Sequence, residues 1–221
     1  EIYMGDWSSD VCSSDLSQLL AYARSFSAWG RSAKFDVVLP YASLSGTADV
    51  AGQPRERDVS GWADPRMRVS ISLLGAPALS LGQAATFRQD LIVGASLQVA
   101  APMGQYDSDK LVNLGTNRWA IKCELGLSKA VGRWTLELAT AAAFYEDNDD
   151  FFAGGRTREQ EPIYSAQGGA IYSFKSGVWM ALGATYYTGG RTTIDAVEGD
   201  DLQQNTRVGV IVTVQIGRAH V

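Results

Sequence analysis

The chain reads as all-β, an antiparallel transmembrane β-barrel, and three observations predict it. Apolar and polar residues alternate with period two over nine segments, the pattern of strands with one buried and one wetted face. These segments run about ten to thirteen residues, longer than the usual strand of about five or six, with aromatic residues near their ends. The connections alternate between tight turns and long polar loops, as when all long loops emerge at one end of a barrel.

The strands follow in order. Residues 18–28 form a first, less regular one. Phe35, Val37, Leu39 and Tyr41 then alternate with Lys34, Asp36 and Pro40, and Met67, Val69, Ile71 and Leu73 with Arg66, Arg68, Ser70 and Ser72. Leu91, Val93, Ala95, Leu97 and Val99 oppose Gly94, Ser96 and Gln98. Trp119, Ile121, Cys123, Leu125 and Leu127 oppose Arg118, Lys122, Glu124, Gly126 and Ser128. Trp134, Leu136, Leu138, Ala142 and Phe144 oppose Glu137 and small residues. Segments 163–174 and 178–188 are less cleanly patterned, and Val208, Val210, Val212 and Val214 complete the nine. Trp29 to Ser32, Lys129 to Gly132 and Lys175 to Gly177 read as tight turns. Segments 46–58, 103–115, 146–161 and 189–203 read as long polar loops, and 75–87 as a connection holding a helical turn.

A soluble sandwich and a membrane barrel both use such strands. A sandwich usually carries many Lys and Glu on its wetted faces, whereas here those faces mix small residues with isolated charges, which suits a confined lumen. Backbone groups in lipid need internal partners, so such a sheet must close on itself. Nine strands are then part of a larger barrel.

The ends differ from the rest. Asp10 to Asp15 and Ile216 to Val221 can be encoded by complementary strands of one DNA sequence that resembles a sequencing-library adapter. Residues 1–16 and 216–221 are therefore expected to be non-native, leaving 17–215 as a truncated barrel domain. That reading removes His220, the one histidine, and Cys12, leaving Cys123 without a disulfide partner or a zinc-ligand set. A net charge of −5 gives no sign of nucleic-acid binding, and the longest apolar runs are too short for a membrane helix.

The stretch APMGQYDSDKLVNLGTNRW (101–119) carries a specific resemblance, together with 25–41, SGWADPRMR at 60–68, the Asn-Asp-Asp-Phe at 148–151 and TYYTGGRTTID at 185–195. It resembles the outer-membrane transporter family named for the MetA pathway of phenol degradation. The resemblance implies a Gram-negative outer-membrane barrel of about twelve strands, one of them preceding Ser17 and about two following Gln215. It also implies lipid and lipopolysaccharide as surroundings and a small-molecule solute. It brings no cofactor and no catalytic residues, and it leaves the oligomeric state open.

Arg66, Arg68, Arg118, Lys122, Glu124, Glu137 and Arg207 fall on the polar faces, hence in the lumen. They would either set charge selectivity or form an ion-pair network that plugs the barrel. In the first case Arg66, Arg68, Arg118 and Lys122 form a basic strip facing Glu124 and Glu137. Asn113, Gly115 and Asn117 read as turn chemistry, Asp64-Pro65 as the start of a strand, and Gly189-Gly190 as a loop hinge. Glu146 to Asp150 is a carboxylate run whose spacing does not match the twelve-residue calcium loop, so no metal site is expected. Without a histidine base, catalysis by a Ser-His or Asp-His pair is not expected, and the chain does not read as an enzyme. The expected function is passive passage of small molecules, hydrophobic or aromatic ones among them. The alternative is a packed barrel with a structural or surface role.

Overall fold

The computed structural model describes residues 12–50, 53–79, 83, 87–174 and 178–213. Its strands are β1 (Cys12–Ala28), β2 (Arg31–Val50), β3 (Gln53–Trp62), β4 (Arg66–Leu74), β5 (Leu91–Ala100), β6 (Ala120–Val131) and β7 (Trp134–Tyr145). They continue as β8 (Asn148–Phe151), β9 (Arg156–Gln160), β10 (Ile163–Ser173), β11 (Trp179–Gly189), β12 (Thr192–Ile194), β13 (Val197–Glu198) and β14 (Gln203–Thr213). One antiparallel sheet runs in the order β1-β2-β4-β5-β6-β7-β10-β11-β14, with β3 paired to β2. Its nine-strand path corresponds to the nine segments that alternate in sequence. Among the described residues β1 and β14 are its two edges, and neither pairs with the other.

The apolar faces point away from the concave side. Leu125, Leu138, Leu182, Val208, Val210 and Val212 are 53–70% exposed, and among the described residues the six buried apolar ones include nothing larger than Leu or Ile. A soluble protein does not leave that much contiguous aliphatic surface in water. In a bilayer the same surface meets acyl chains, so the membrane supplies the environment that a second sheet would supply in a sandwich. Near the tight-turn end, the Trp134 and Tyr172 rings lie 4.8 Å apart and Tyr172 and Phe174 4.7 Å apart. They form an aromatic patch of the sort that sits at a membrane–water interface, where rings are anchored by an apolar body and a polar edge.

The turn at Trp29-Gly30 joins β1 to β2 with both residues at positive φ, 51° and 74°, the twist that two-residue hairpins require. At the loop end the structure departs from expectation. Segment 46–58, read as a loop, instead extends β2 to Val50 and forms β3, so a long hairpin rises beyond the wall. Loops 146–161 and 189–203 hold short strands that pair as a second sheet, β13-β12-β9-β8. Segment 103–115 has no strand. The backbone of β1 is paired from Cys12, opposite Thr47. Residues 216–221, the Lys175 to Gly177 turn, and 80–82 and 84–86 of the connection expected to hold a helical turn lie outside the described residues.

β3 and β4 are one strand interrupted at Ala63-Asp64-Pro65, because β2 pairs first with one and then with the other. This interruption is where segment 101–118 attaches. Val59, Ala101 and Leu114 are buried, forming a small core above the wall.

Candidate functional site: a polar lumen beneath an interlocked cap

Register fixes which residues share the inner face. One row runs Lys34, Ser70, Ser96, Glu124, Ala141, Ser165, Tyr187, Asn205, and the next runs Asp36, Arg68, Gln98, Lys122, Ala143. A third passes through Glu137, Gly169, Gly183 and Gly209. Because residues two apart share a face, small side chains at Gly94, Gly126, Ala139 and Ala141 thin the wall lining next to the charged positions. The result is a cavity of about 400 Å³ on the concave side, lined by Lys34, Arg68, Ser70, Ser96, Glu124 and Glu137 among others.

The charges pair locally. Asp36 is buried and receives both Lys34, at 3.1 Å, and the Arg68 guanidinium, at 3.1 Å from Nε. Lys122 lies 3.2 Å from Glu124, two residues away on β6. Ion pairs between neighbours along the wall leave the interior open, whereas pairs bridging opposite sides would fill it.

The seven residues expected in the lumen therefore separate into groups. Arg68, Glu124 and Glu137 meet at one cavity. Arg66 begins β4 and is exposed, in register with Val38 and Ala100. Arg207 stacks over the Tyr187 ring at 5.3 Å. Arg118 is buried at the base of the cap, where its guanidinium lies 4.7 Å from the Tyr145 ring centroid and donates to Gln160 Oε1. Gln160 in turn donates through Nε2 to the Gly190 carbonyl at 3.1 Å, so one arginine ties the wall to both long loops.

The rest of the cap is held by side chains that the sequence offers as turn, strand-entry and acidic-loop residues. The Asp64 carboxylate accepts from the Gly104 N–H (2.9 Å), the Thr116 N–H (2.8 Å) and the Thr116 hydroxyl (2.7 Å) while buried. Gly104 and Gly115 face each other so closely that a Cβ on Gly115 would lie 2.7 Å from Gly104 backbone atoms. Asn113 closes its own loop by accepting from Asp107 N–H and donating to the Asp107 and Lys110 carbonyls. Asn117 adopts φ 53° and donates to Asn148 Oδ1 at 2.9 Å. Asn148, inside the acidic run, is buried and donates to Tyr106 Oη and to the Thr116 carbonyl. Asp150 accepts from the Gly155 N–H. These groups act as structural linkers between loops. Gly189 and Gly190 have positive φ, and a Cβ on either would strike Pro162 or Ile163.

Two ion pairs tighten the small sheet from outside. The Arg156 side chain and the Thr157 N–H both donate to Asp195, and Arg156 above all holds its carboxyl below the usual carboxylate range. Glu198 beside Arg191 raises that guanidinium further above its already high value. A depressed carboxyl stabilises the fold at pH values above its unfolded pKa, about 3.9, and loses that contribution as pH falls through the lowered folded value. Hydrogen exchange across 156–160 should therefore be unchanged from pH 8 to pH 5, after correction for intrinsic rates, and should accelerate below about pH 4. Asp195→Asn should remove that acid dependence.

An apolar outer face, a polar concave face, short turns at one end and folded loops at the other define an outer-membrane β-barrel channel. The chain belongs to the family described as "Putative MetA-pathway of phenol degradation", whose model matches residues 15–220. Among solved structures it is similar to an outer membrane channel from Pseudomonas putida F1, with a TM-score of 0.75 and 26% identity. That similarity covers 92% of this chain and 72% of the other. No curated protein sequence matches it. The protein is a Gram-negative outer-membrane protein, and both its family and its structural neighbour are transport proteins of that membrane rather than enzymes.

Proposed function

We propose that the chain forms the greater part of a barrel through which small molecules, hydrophobic and aromatic ones among them, pass without energy input. The single observation that carries this reading is the unfilled interior. Ser70, Gly94, Ser96, Gly126 and Ala139 sit between the charged positions of the concave face, leaving a cavity of about 400 Å³ where a packed barrel would place large interlocking side chains. Local pairing of Asp36 with Arg68 and of Lys122 with Glu124 supports the same reading, since each joins neighbours along the wall. The interlocked cap then screens entrance, and the outer face meets phospholipid and lipopolysaccharide. The phenol-degradation name of the family supports aromatic solutes.

The barrel reconstituted in planar bilayers should give discrete conductance steps, and vesicles containing it should take up a labelled aromatic solute faster than empty ones. Silence in both measurements would favour the alternative, a packed barrel with a structural or surface-interaction role.

A further inference from the structure

The cavity is charged in a particular way. Lys34 and Arg68 line it on the β2–β4 side, while their counter-ion Asp36 lies buried outside the lining. Glu124 and Glu137 line it on the β6–β7 side, while Lys122, which pairs with Glu124, also lies outside the lining. Two cations thus look into the space from one side and two carboxylates from the other. Each side, counted with its partner, keeps a single net charge: Lys34 and Arg68 less Asp36 leave one positive, and Glu124 and Glu137 less Lys122 leave one negative. Between them Ser70 and Ser96 present hydroxyls, and Gly94 and Gly126 leave the floor low.

Lys34 and Glu124 sit in the same register row, three strand spacings apart, which is roughly 14 Å along the sheet before side chains reach inward. Charges of opposite sign held at that separation on facing sides of a confined groove produce a field directed across it. Such a field does little for a lone ion of either sign, because each is attracted by one wall and repelled by the other. It acts on a molecule that carries both.

We propose that this cavity is a transverse dipolar station that binds and orients small zwitterionic or strongly dipolar solutes, with the anionic group towards Lys34 and Arg68 and the cationic group towards Glu124 and Glu137. The inference rests on the passage reading only for its location in a conducting lumen. Serine hydroxyls at Ser70 and Ser96 supply hydrogen bonds to the middle of the solute.

The test uses ion selectivity and solute binding together. Under a potassium chloride gradient the wild-type barrel should show weak selectivity. Lys34→Gln with Arg68→Gln should shift the permeability ratio towards cations, and Glu124→Gln with Glu137→Gln should shift it towards anions, each by roughly fivefold. Glu137→Gln alone, which breaks no ion pair seen in the structure, should move it in the same direction as the second double variant and guards against misfolding. Added 6-aminohexanoate should reduce the wild-type current at a concentration about tenfold lower than hexanamide, and either double variant should erase that difference. A conducting barrel whose two double variants shift alike, or not at all, would overturn the dipolar station and leave passage standing. A barrel that does not conduct would overturn passage. Calorimetry with the same two compounds on the detergent-solubilised barrel then decides the station, equal heats counting against it.

Discussion

Replacing Asp64 by alanine should loosen the whole external cap while leaving the membrane-spanning sheet in place. The carboxylate is 7% exposed and accepts three hydrogen bonds from Gly104 and Thr116, so truncation strands two backbone N–H groups and a hydroxyl in a site too enclosed for full rehydration. Hydrogen bonds to a charged group contribute about 1.5–3 kcal/mol each, and partial relaxation leaves a net loss on the order of 2–4 kcal/mol. The loss is local to the cap because the strand ladder on either side of Asp64 does not use its side chain. Limited proteolysis should cut between residues 101 and 118 at least tenfold faster in Asp64→Ala, with the far-ultraviolet strand signal retained. Asp64→Asn should be intermediate, since its amide keeps one acceptor oxygen. Equal cleavage rates would show that segment 101–118 is held by its own turns and by Asn113 alone.

The contrast between this linkage and the wall shows what alternation can and cannot reveal. Lipid imposes one apolar face on every spanning strand, so the pattern at Val208, Val210 and Val212 identifies a strand before any pairing is known. Above the membrane that demand ends. β3 reads QPRERDVSGW, with proline and five charged or amide side chains, and its strand character comes from pairing with β2 rather than from its own pattern. The strands of the small sheet are two to five residues long, below the length at which a period can be detected. The inner-face residues obey the same division. Parity alone placed Arg68, Lys122, Glu124 and Glu137 on the concave side. Which charge neutralises which depends on register: Asp36 and Arg68 are 32 residues apart and meet only because β2 and β4 align that way. Lys34 and Asp36 share one alternating face in sequence, yet the place of Lys34 in the cavity and of Asp36 beneath it follows only from the neighbouring strand. Asp64 and Asn148 fall in motifs that the sequence offers, at 60–68 and 148–151, but their bonds, like those of Gln160, are not legible there because the partners come from segments that only the folded barrel brings together.

Adjacent residues on β6 should give opposite phenotypes when each is replaced by arginine. Leu125 faces outwards, 54% exposed, in the row of Ile71, Ala95 and Thr140 near the middle of the strand. An arginine there meets acyl chains, at a cost of about 2–4 kcal/mol near the bilayer midplane. Leu125→Arg should therefore reduce the folded, membrane-inserted fraction by at least tenfold at the urea concentration where the wild type is half folded in vesicles. Gly126 faces inwards, where its Cβ position lies 3.7 Å from the Ala139 side chain, an ordinary contact, and lines the cavity. An arginine there keeps its charge in a wet interior beside Glu124 and Glu137, so Gly126→Arg should insert nearly as well as wild type and lose most of its conductance. The pair separates a membrane barrel from a two-layer soluble sheet. In a sandwich with its greasy faces packed together, Leu125→Arg would unfold the protein in water as well as in vesicles, and Gly126→Arg would be a neutral surface change. Equal insertion of both variants would contradict the assignment of faces on which the lumen itself depends.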